Sequence, residues 1–223
     1  MTTKSEQTRA LVLETALRLF REQGYDRTTM RAIATEAGIS VGNAYYYFAS
    51  KEQLIQGFYD EIHVRHLDAA GPVLRGEPEF GSRLRGVLLE WLRIAEPYHE
   101  FATQFFKNAA DSASPLSPFS SDSQPTRDAT IELMRQVIDG STLKLDPSLR
   151  ADLPQLLWLY HMGIVLFWVH DRSAEQAKTR LLIERTVPLL ARLLGLSRLR
   201  VFKSVTSEAV GLLRDLGLPD GVR

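Results

Sequence analysis

The sequence predicts an all-α protein, a small N-terminal helical domain followed by a larger helical one. Three observations carry this. Apolar residues recur at helical spacing through most of the 223 residues, and no segment sustains the strict alternation of a strand. Helix start and stop residues punctuate that pattern along the chain. With 44% hydrophobic residues the chain can build a real core, so a wholly disordered polymer is excluded. No internal repeat is present.

Taken in order, the first helix is expected from about 5 to 23, with Leu13, Ala16, Leu17 and Phe20 in one stripe and Gly24 closing it. Thr28 or Thr29 caps a short second helix with Met30, Ile33, Ala34 and Ala37 facing inward, and Gly38 ends it. Ser40 caps a third helix of about seven residues. Ser50 and Gln53 have the form of a capping box and open a fourth helix to about residue 70. Gly71, Pro72, Gly76, Pro78 and Gly81 then break the chain. A long amphipathic helix follows from about Ser82, and Pro97 marks a junction before a helix bearing Phe101, Phe105 and Phe106. Six serines and three prolines among the 15 residues 111–125 leave little to pack and predict a mobile loop. Helices resume over about 126–139 and 147–170. Ser173 with Gln176 reads as another capping box, opening a helix from about 175 to 194 that Pro188 bends. A weaker helical pattern covers 202–216.

Composition narrows the function classes. Lys plus Arg and Asp plus Glu are both 27, so no single sign of charge covers the whole surface, although local patches remain open. The absence of cysteine excludes disulfides, thiolate catalysis and cysteine-ligated metals, and fits a reducing cytoplasm. The polar start lacks the apolar run of a secretory signal, so a cytoplasmic location is expected. The longest apolar stretch, 156–169, is interrupted only by His161 and Gly163. As a helix it reaches about 21 Å, short of the ~30 Å of a bilayer core, so no membrane partner is expected. It reads instead as a soluble helix buried on nearly all sides, which a second copy of the chain would help to bury.

Residues 29–47 have helix-turn-helix form, two short helices joined at Gly38, Ile39 and Ser40. Around them stand Ala16, Leu19-Phe20, Gly24-Tyr25, Thr28-Thr29, Ile33-Ala34, Ala37, Gly42, Tyr45, Phe48, Lys51 and Leu54. With these residues the stretch 9–54 resembles, without gaps, the N-terminal domain of the tetracycline-repressor (TetR) family of bacterial transcription regulators. The resemblance implies a domain over 1–53 that binds double-stranded DNA at a palindromic operator. It implies a second domain over 54–223 that forms a homodimer and holds a small-molecule effector. No cofactor and no metal are expected.

The residues agree with what the resemblance implies. Ala44 and Phe48, four apart, can face the packing that a seven-residue helix needs. Val41, Gly42, Asn43, Tyr46 and Tyr47 then lie on the other side. Asn pairs with adenine, Val contacts a thymine methyl, and Gly lets the helix approach closely. Thr29, Ser40 and Tyr45 are placed to reach phosphate oxygens, with Arg31 and Lys51 supplying charge at the edges. Tyr47 stands where the family often has histidine and Asn43 where it often has threonine, which puts the operator sequence beyond inference. One or two rings of Tyr45, Tyr46 and Tyr47 can instead simply pack. Charge is the weak point. Residues 1–53 carry seven basic and six acidic groups, and 54–223 carry 20 and 21. Few phosphates are therefore neutralised per subunit, through Lys4, Arg9, Arg27, Arg31 and Lys51, and Glu14, Glu22 and Glu36 must face away.

The apolar helix can be read by angle. Leu156, Leu159, Tyr160, Gly163 and Phe167 share one stripe, while Trp158, His161, Met162, Val165 and Val169 share another about 140° away. Gly163 costs about 1 kcal/mol in a helix interior, which a close helix crossing would explain. The first stripe is therefore assigned to a dimer seam, with Leu182, Thr186, Leu189 and Leu193 on the partner helix completing a four-helix bundle. The second stripe faces Trp91, Phe101, Phe105 and Phe106, and with Gln104, Asn108 and His161 would suit an apolar or aromatic ligand. Any one of these aromatics can equally be plain core, and His161 reads first as a hydrogen-bonded core histidine. His63 and His66, three apart, lack a third metal ligand. Two other classes compete with a ligand-released repressor. A helical-cavity enzyme finds no local Ser/His/Asp or Glu/His constellation, and a dimeric protein-interaction module would fit the near-neutral first domain.

Overall fold

The computed structural model describes residues 3–99, 102, 106, 109, 114–196 and 211. Among them the regular structure is helical, with no strand. Eight α-helices are delimited: α1 (Lys4–Gln23), α2 (Met30–Glu36), α3 (Val41–Tyr47), α4 (Lys51–Gly76), α5 (Phe80–Ala95), α6 (Gln124–Asp139), α7 (Pro147–His170) and α8 (Ala177–Leu196). Short 3-10 turns occupy Glu96–Tyr98 and Ala174–Gln176. The chain folds as two compact units, Met1–Ile62 with Pro97–Ser123, and His63–Glu96 with Gln124–Arg223. The unbroken helix α4 contributes residues to both.

The first unit is α1 to α3, the start of α4 and the 97–123 segment around one core. The stripe read from the sequence, Leu13, Ala16, Leu17 and Phe20, is buried there with Met30, Ile33 and Ala34 of α2. α1 starts one residue earlier than expected because Thr3 and Glu6 form a reciprocal capping box. At α4, Gln53 N–H donates to Ser50 Oγ at 3.3 Å, but the Gln53 amide reaches the Ala49 N–H at 2.8 Å instead of that of Ser50. The Ser/Pro segment is not the slack loop its composition suggests. Over 114–123 it is a run of turns in which serine hydroxyls bond backbone carbonyls, as Ser120 Oγ does with Pro115 O at 2.8 Å. Leu116 anchors it in the core. The helix expected over 202–216 lies outside the described residues, apart from helical Gly211.

The second unit departs from expectation at two helix ends. α4 does not stop near residue 70 but runs through Pro72 to Gly76. Pro72 and Asp68, whose carbonyl loses its donor there, are both exposed, so water can stand in. A single arginine holds the far end of the helix. Arg83, on α5, is buried, and its guanidinium donates to Leu74 O and Glu77 O at 2.5 and 2.7 Å. Its other nitrogens donate to Gln136 O and Val137 O at 2.7 and 2.9 Å, in the last turn of α6. One cation thus satisfies four carbonyls at two helix C-termini, where the negative ends of both dipoles favour it. Gly140 makes room, since a Cβ there would collide with the guanidinium.

The second departure is at α8. The Ser173/Gln176 box does not form; Asp171 takes its place, accepting from Ser173 N and Oγ and from Thr179 N and Oγ1 at 2.6–2.9 Å. Burial works to raise the pKa of Asp171, but those four donors outweigh it and hold the group down to about 2. The backbone pays locally, with Glu175 and Gln176 in the left-handed region at φ 53° and 50°. α7 packs against α6 and α8. Its apolar part, Leu149–His170, is long and apolar enough to cross a membrane by length and composition alone. On the single chain Gly163 and Phe167 are exposed, on the side that the sequence assigned to a second copy, and so is Leu166.

Replacing Arg83 by methionine keeps most of the volume and removes all four bonds. Equilibrium unfolding should show a loss of about 3–4 kcal/mol, roughly one for each stranded carbonyl. A loss below about 1 kcal/mol would mean that the carbonyls find other partners.

Candidate functional site

The candidate site is the outer face of α3 with its flanks. A helix this short does not stand alone, so its neighbours must define both its ends and its inner face. α2 stops in a Schellman motif: Ile39 N–H donates to Ala34 O at 3.0 Å and Gly38 N–H to Thr35 O at 3.2 Å. Gly38 has φ 69°, a conformation that favours glycine and turns the chain sharply. Ser40 then caps α3, its Oγ accepting the Asn43 N–H at 3.1 Å, as Thr29 caps α2 by accepting from Ala32 at 3.1 Å. Inward, Ala44 is 0% and Phe48 1% exposed. Burying the phenylalanine alone is worth roughly 1.5–3 kcal/mol.

That packing leaves the rest of α3 facing out. Gly42 and Asn43 are exposed, Val41 and Tyr47 are half-buried, and Tyr45 and Tyr46 are 50% and 78% exposed. Nothing lies within 4 Å of where a Gly42 Cβ would be. The Tyr46 and Tyr47 rings meet edge to face at 5.2 Å, and Ser5 Oγ stands 3.5 Å from the Tyr47 hydroxyl. Arg31 is exposed on α2. Lys51 is more constrained. Its Nζ donates to Tyr25 O at 2.8 Å and lies 4.1 Å from the Tyr25 ring centre, using one of three ammonium protons in that bond. The Tyr25 hydroxyl in turn donates to Glu52 at 2.9 Å.

Two arginines matter here, Arg9, already expected among the phosphate-neutralising cations, and Arg18, which was not anticipated. Arg9 lies over the Phe48 ring at 4.8 Å, fixing an exposed guanidinium beside the end of α3. Gly57 allows this, since a Cβ there would be 3.0 Å from Phe48 and 3.3 Å from Arg9. A glycine in mid-helix was the available signal. Arg18 bridges Glu22 and Glu36 at 3.2 and 2.6 Å, which offsets two of the acids that trouble the charge balance. Exposed pairs of this kind add little stability.

In the second unit Trp158 and His161 are buried and Met162 and Val165 half-buried. Trp91 meets the His161 ring edge to face at 5.1 Å and Trp168 at 5.2 Å. Phe101, Phe105 and Asn108, with Gln104, lie outside the described residues. Among the described residues His161 is not the hydrogen-bonded core histidine expected: both ring nitrogens are buried and neither has a hydrogen-bond partner there. Burial, reinforced by His66 and His63, pushes its pKa down to about 3. His66 Nε2 donates to Val87 O at 2.9 Å and His63 Nδ1 lies 3.4 Å from Thr130 Oγ1. No group of three potential metal ligands occurs among the described residues.

On the opposite stripe, Gly163 has nothing within 4 Å of a notional Cβ, and Phe167, Leu189 and Leu193 are exposed, the last by 60%. Leu159 and Leu182 are half-buried, and the Tyr160 hydroxyl is hydrogen-bonded to Thr186 Oγ1. Leu166, Leu181 and Leu196, on the same two helices, are exposed as well and were not anticipated.

Comparison with known proteins bears on both units. Residues 12–57 match the family described as bacterial regulatory proteins, tetR family, and residues 83–212 match the tetracyclin repressor-like C-terminal domain. The regulator TtgR of Pseudomonas putida is 38% identical over 63 residues, which is 28% of this chain and 30% of TtgR. The repressor KstR2 of Mycobacterium tuberculosis is 35% identical over 99 residues, 41% of this chain and 46% of KstR2. The chain thus spans less than half the length of these curated relatives. Among solved structures, a TetR regulator from Nitrosomonas europaea superposes with a TM-score of 0.64 at 17% identity, covering 82% of this chain and 97% of that one. A Thermus thermophilus FadR, solved with lauroyl-CoA, gives 0.58 at 20% identity over 81% and 93%. These likenesses show the fold. The C-terminal match alone covers more than half of the chain, and with the helix-turn-helix match it establishes that this protein belongs to the TetR family of transcriptional regulators.

Proposed function

We propose that the protein is a dimeric repressor released from a palindromic operator by a small apolar or aromatic molecule. The observation that carries the reading is the division of α3 into a buried face, Ala44 and Phe48, and an outer face free for base edges. In this reading residues 1–53 are the DNA-binding domain. Val41, Gly42 and Asn43 meet the major groove, with Tyr46 and Tyr47 alongside. Tyr45, Arg31, Lys51 and the hydroxyls of Thr29 and Ser40 meet phosphates. KstR2 carries the name of a repressor, which supports that sign of regulation.

Residues 54–223 hold the dimer seam and the effector. The exposed stripe of Gly163 and Phe167, beside Leu189 and Leu193, supports an interface between copies, since a monomer leaves so much apolar side chain in water only at a cost. Leu159, Tyr160, Leu182 and Thr186 complete it. In this reading Trp91, Trp158, His161, Met162 and Val165 of the second unit form the effector site; Phe101, Phe105 and Asn108, expected with them, lie outside the described residues. FadR proteins of this fold solved in complex with lauroyl-CoA and stearoyl-CoA support a small-molecule effector. Release is a population shift: the effector favours a spacing of the two recognition helices that no longer fits major grooves about 34–36 Å apart.

Selecting bound duplexes from a random pool tests the reading. The wild type should yield a palindrome. Asn43→Ala should cost roughly 1–3 kcal/mol and relax one or two positions per half-site, while Tyr45→Phe and Lys51→Ala weaken all duplexes alike. An unchanged preference in Asn43→Ala removes direct readout by that residue. For the assembly, Gly163→Leu should move the protein from dimer to monomer in sedimentation and abolish operator binding. A fully dimeric Gly163→Leu places the seam on another stripe.

A further inference from the structure

His161 is an anomaly that the helical core does not explain. It is 3% exposed, and neither ring nitrogen has a hydrogen-bond partner among the described residues. A polar group stranded this way costs the fold stability, and a leucine or phenylalanine would fill the position without that penalty. Two rings stand beside it. Trp91 stands edge to face at 5.1 Å, and His66 stands at 5.9 Å. His66 is itself oriented, its Nε2–H donating to Val87 O at 2.9 Å, which turns its bare Nδ1 into an acceptor. Both imidazoles are neutral at pH 7, because burial holds His161 to about 3 and His66 to about 4.

We propose that His161 is the hydrogen-bonding anchor of the effector site, and that the effector is an uncharged, ring-containing molecule bearing a hydroxyl group. The proposal rests on the reading that the second unit holds an effector. The chemistry follows from the anchor. A neutral imidazole has one donor and one acceptor, and a hydroxyl is the small group that answers either one. Flat aromatic walls suit a ring placed edge to face. A bare hydrocarbon would leave the imidazole stranded. A carboxylate would need a buried histidine to take up a proton against its desolvation. Such a residue is stable enough to keep, and it gives binding a polar bond that displaces no existing partner.

The test uses the full chain and a matched pair of probes, naphthalene and 2-naphthol, by equilibrium dialysis, with lauroyl-CoA as a charged comparison. The wild type should bind 2-naphthol about ten-fold more tightly than naphthalene, the worth of one well-made buried hydrogen bond. In His161→Phe the two probes should bind alike. In His161→Gln, which keeps a donor and an acceptor, part of the preference should return. Without ligand, His161→Phe should unfold at the wild-type temperature or above it, since it removes a stranded polar group. The proposal is overturned if the hydroxyl preference is absent from the wild type or survives in His161→Phe. It is overturned too if His161→Phe unfolds several degrees lower, which marks a structural histidine, or if lauroyl-CoA binds the wild type and His161→Phe equally while 2-naphthol does not bind. Operator release is scored separately. If 2-naphthol binds through His161 but leaves DNA bound, the anchor stands and the proposed regulation fails.

Discussion

A seven-residue helix forms too few internal hydrogen bonds to exist without support, and the first unit is organised around supplying that support. The Schellman turn at Gly38 and the Ser40 cap fix where α3 begins, and Ala44 and Phe48 fix which face it buries. Once those are set, the outer face has no freedom left, and Asn43 and Tyr46 are presented by default. The same Phe48 that anchors α3 also carries the Arg9 guanidinium on its ring. Core packing and the placement of an edge charge are therefore one interaction, made possible by the missing side chain at Gly57.

The second unit solves a different problem. Its helices are long and apolar, so their stability is not in doubt, but their ends must be satisfied inside a core. Arg83 does this for α4 and α6, and Asp171 does it for α8, each a charged group spent on backbone polar atoms. Against that background of satisfied groups, His161 is conspicuous.

The helices and the form of the first unit were legible in the sequence because their signals are local. Periodicity placed the stripe of α1, and capping residues placed α3 and the start of α4. The misses came where distant residues decide. Nothing near Pro72 tells that Arg83 will hold the last turn of α4. Ser173 and Gln176 have the spacing of a capping box, yet Asp171 outcompetes them because its two oxygens serve four donors. The Ser/Pro segment looked slack because composition does not reveal that Leu116 reaches the core. At the candidate site, the outward set on α3 followed from two inward residues. The lack of a partner for His161 is a fact about what surrounds it, which no spacing rule contains.

The central claim is that the outer face of α3 reads duplex DNA with few phosphate contacts. Titrating the selected duplex across a range of salt concentrations measures this directly, because log affinity falls with log salt by about 0.9 per phosphate neutralised. Five candidate cations per subunit, Lys4, Arg9, Arg27, Arg31 and Lys51, set a ceiling for a two-subunit complex, so the slope should be no steeper than about −9. Tight, sequence-selective binding with a slope inside that limit is the expected result. Absence of duplex binding at low salt, or equal affinity for unrelated duplexes, would contradict it.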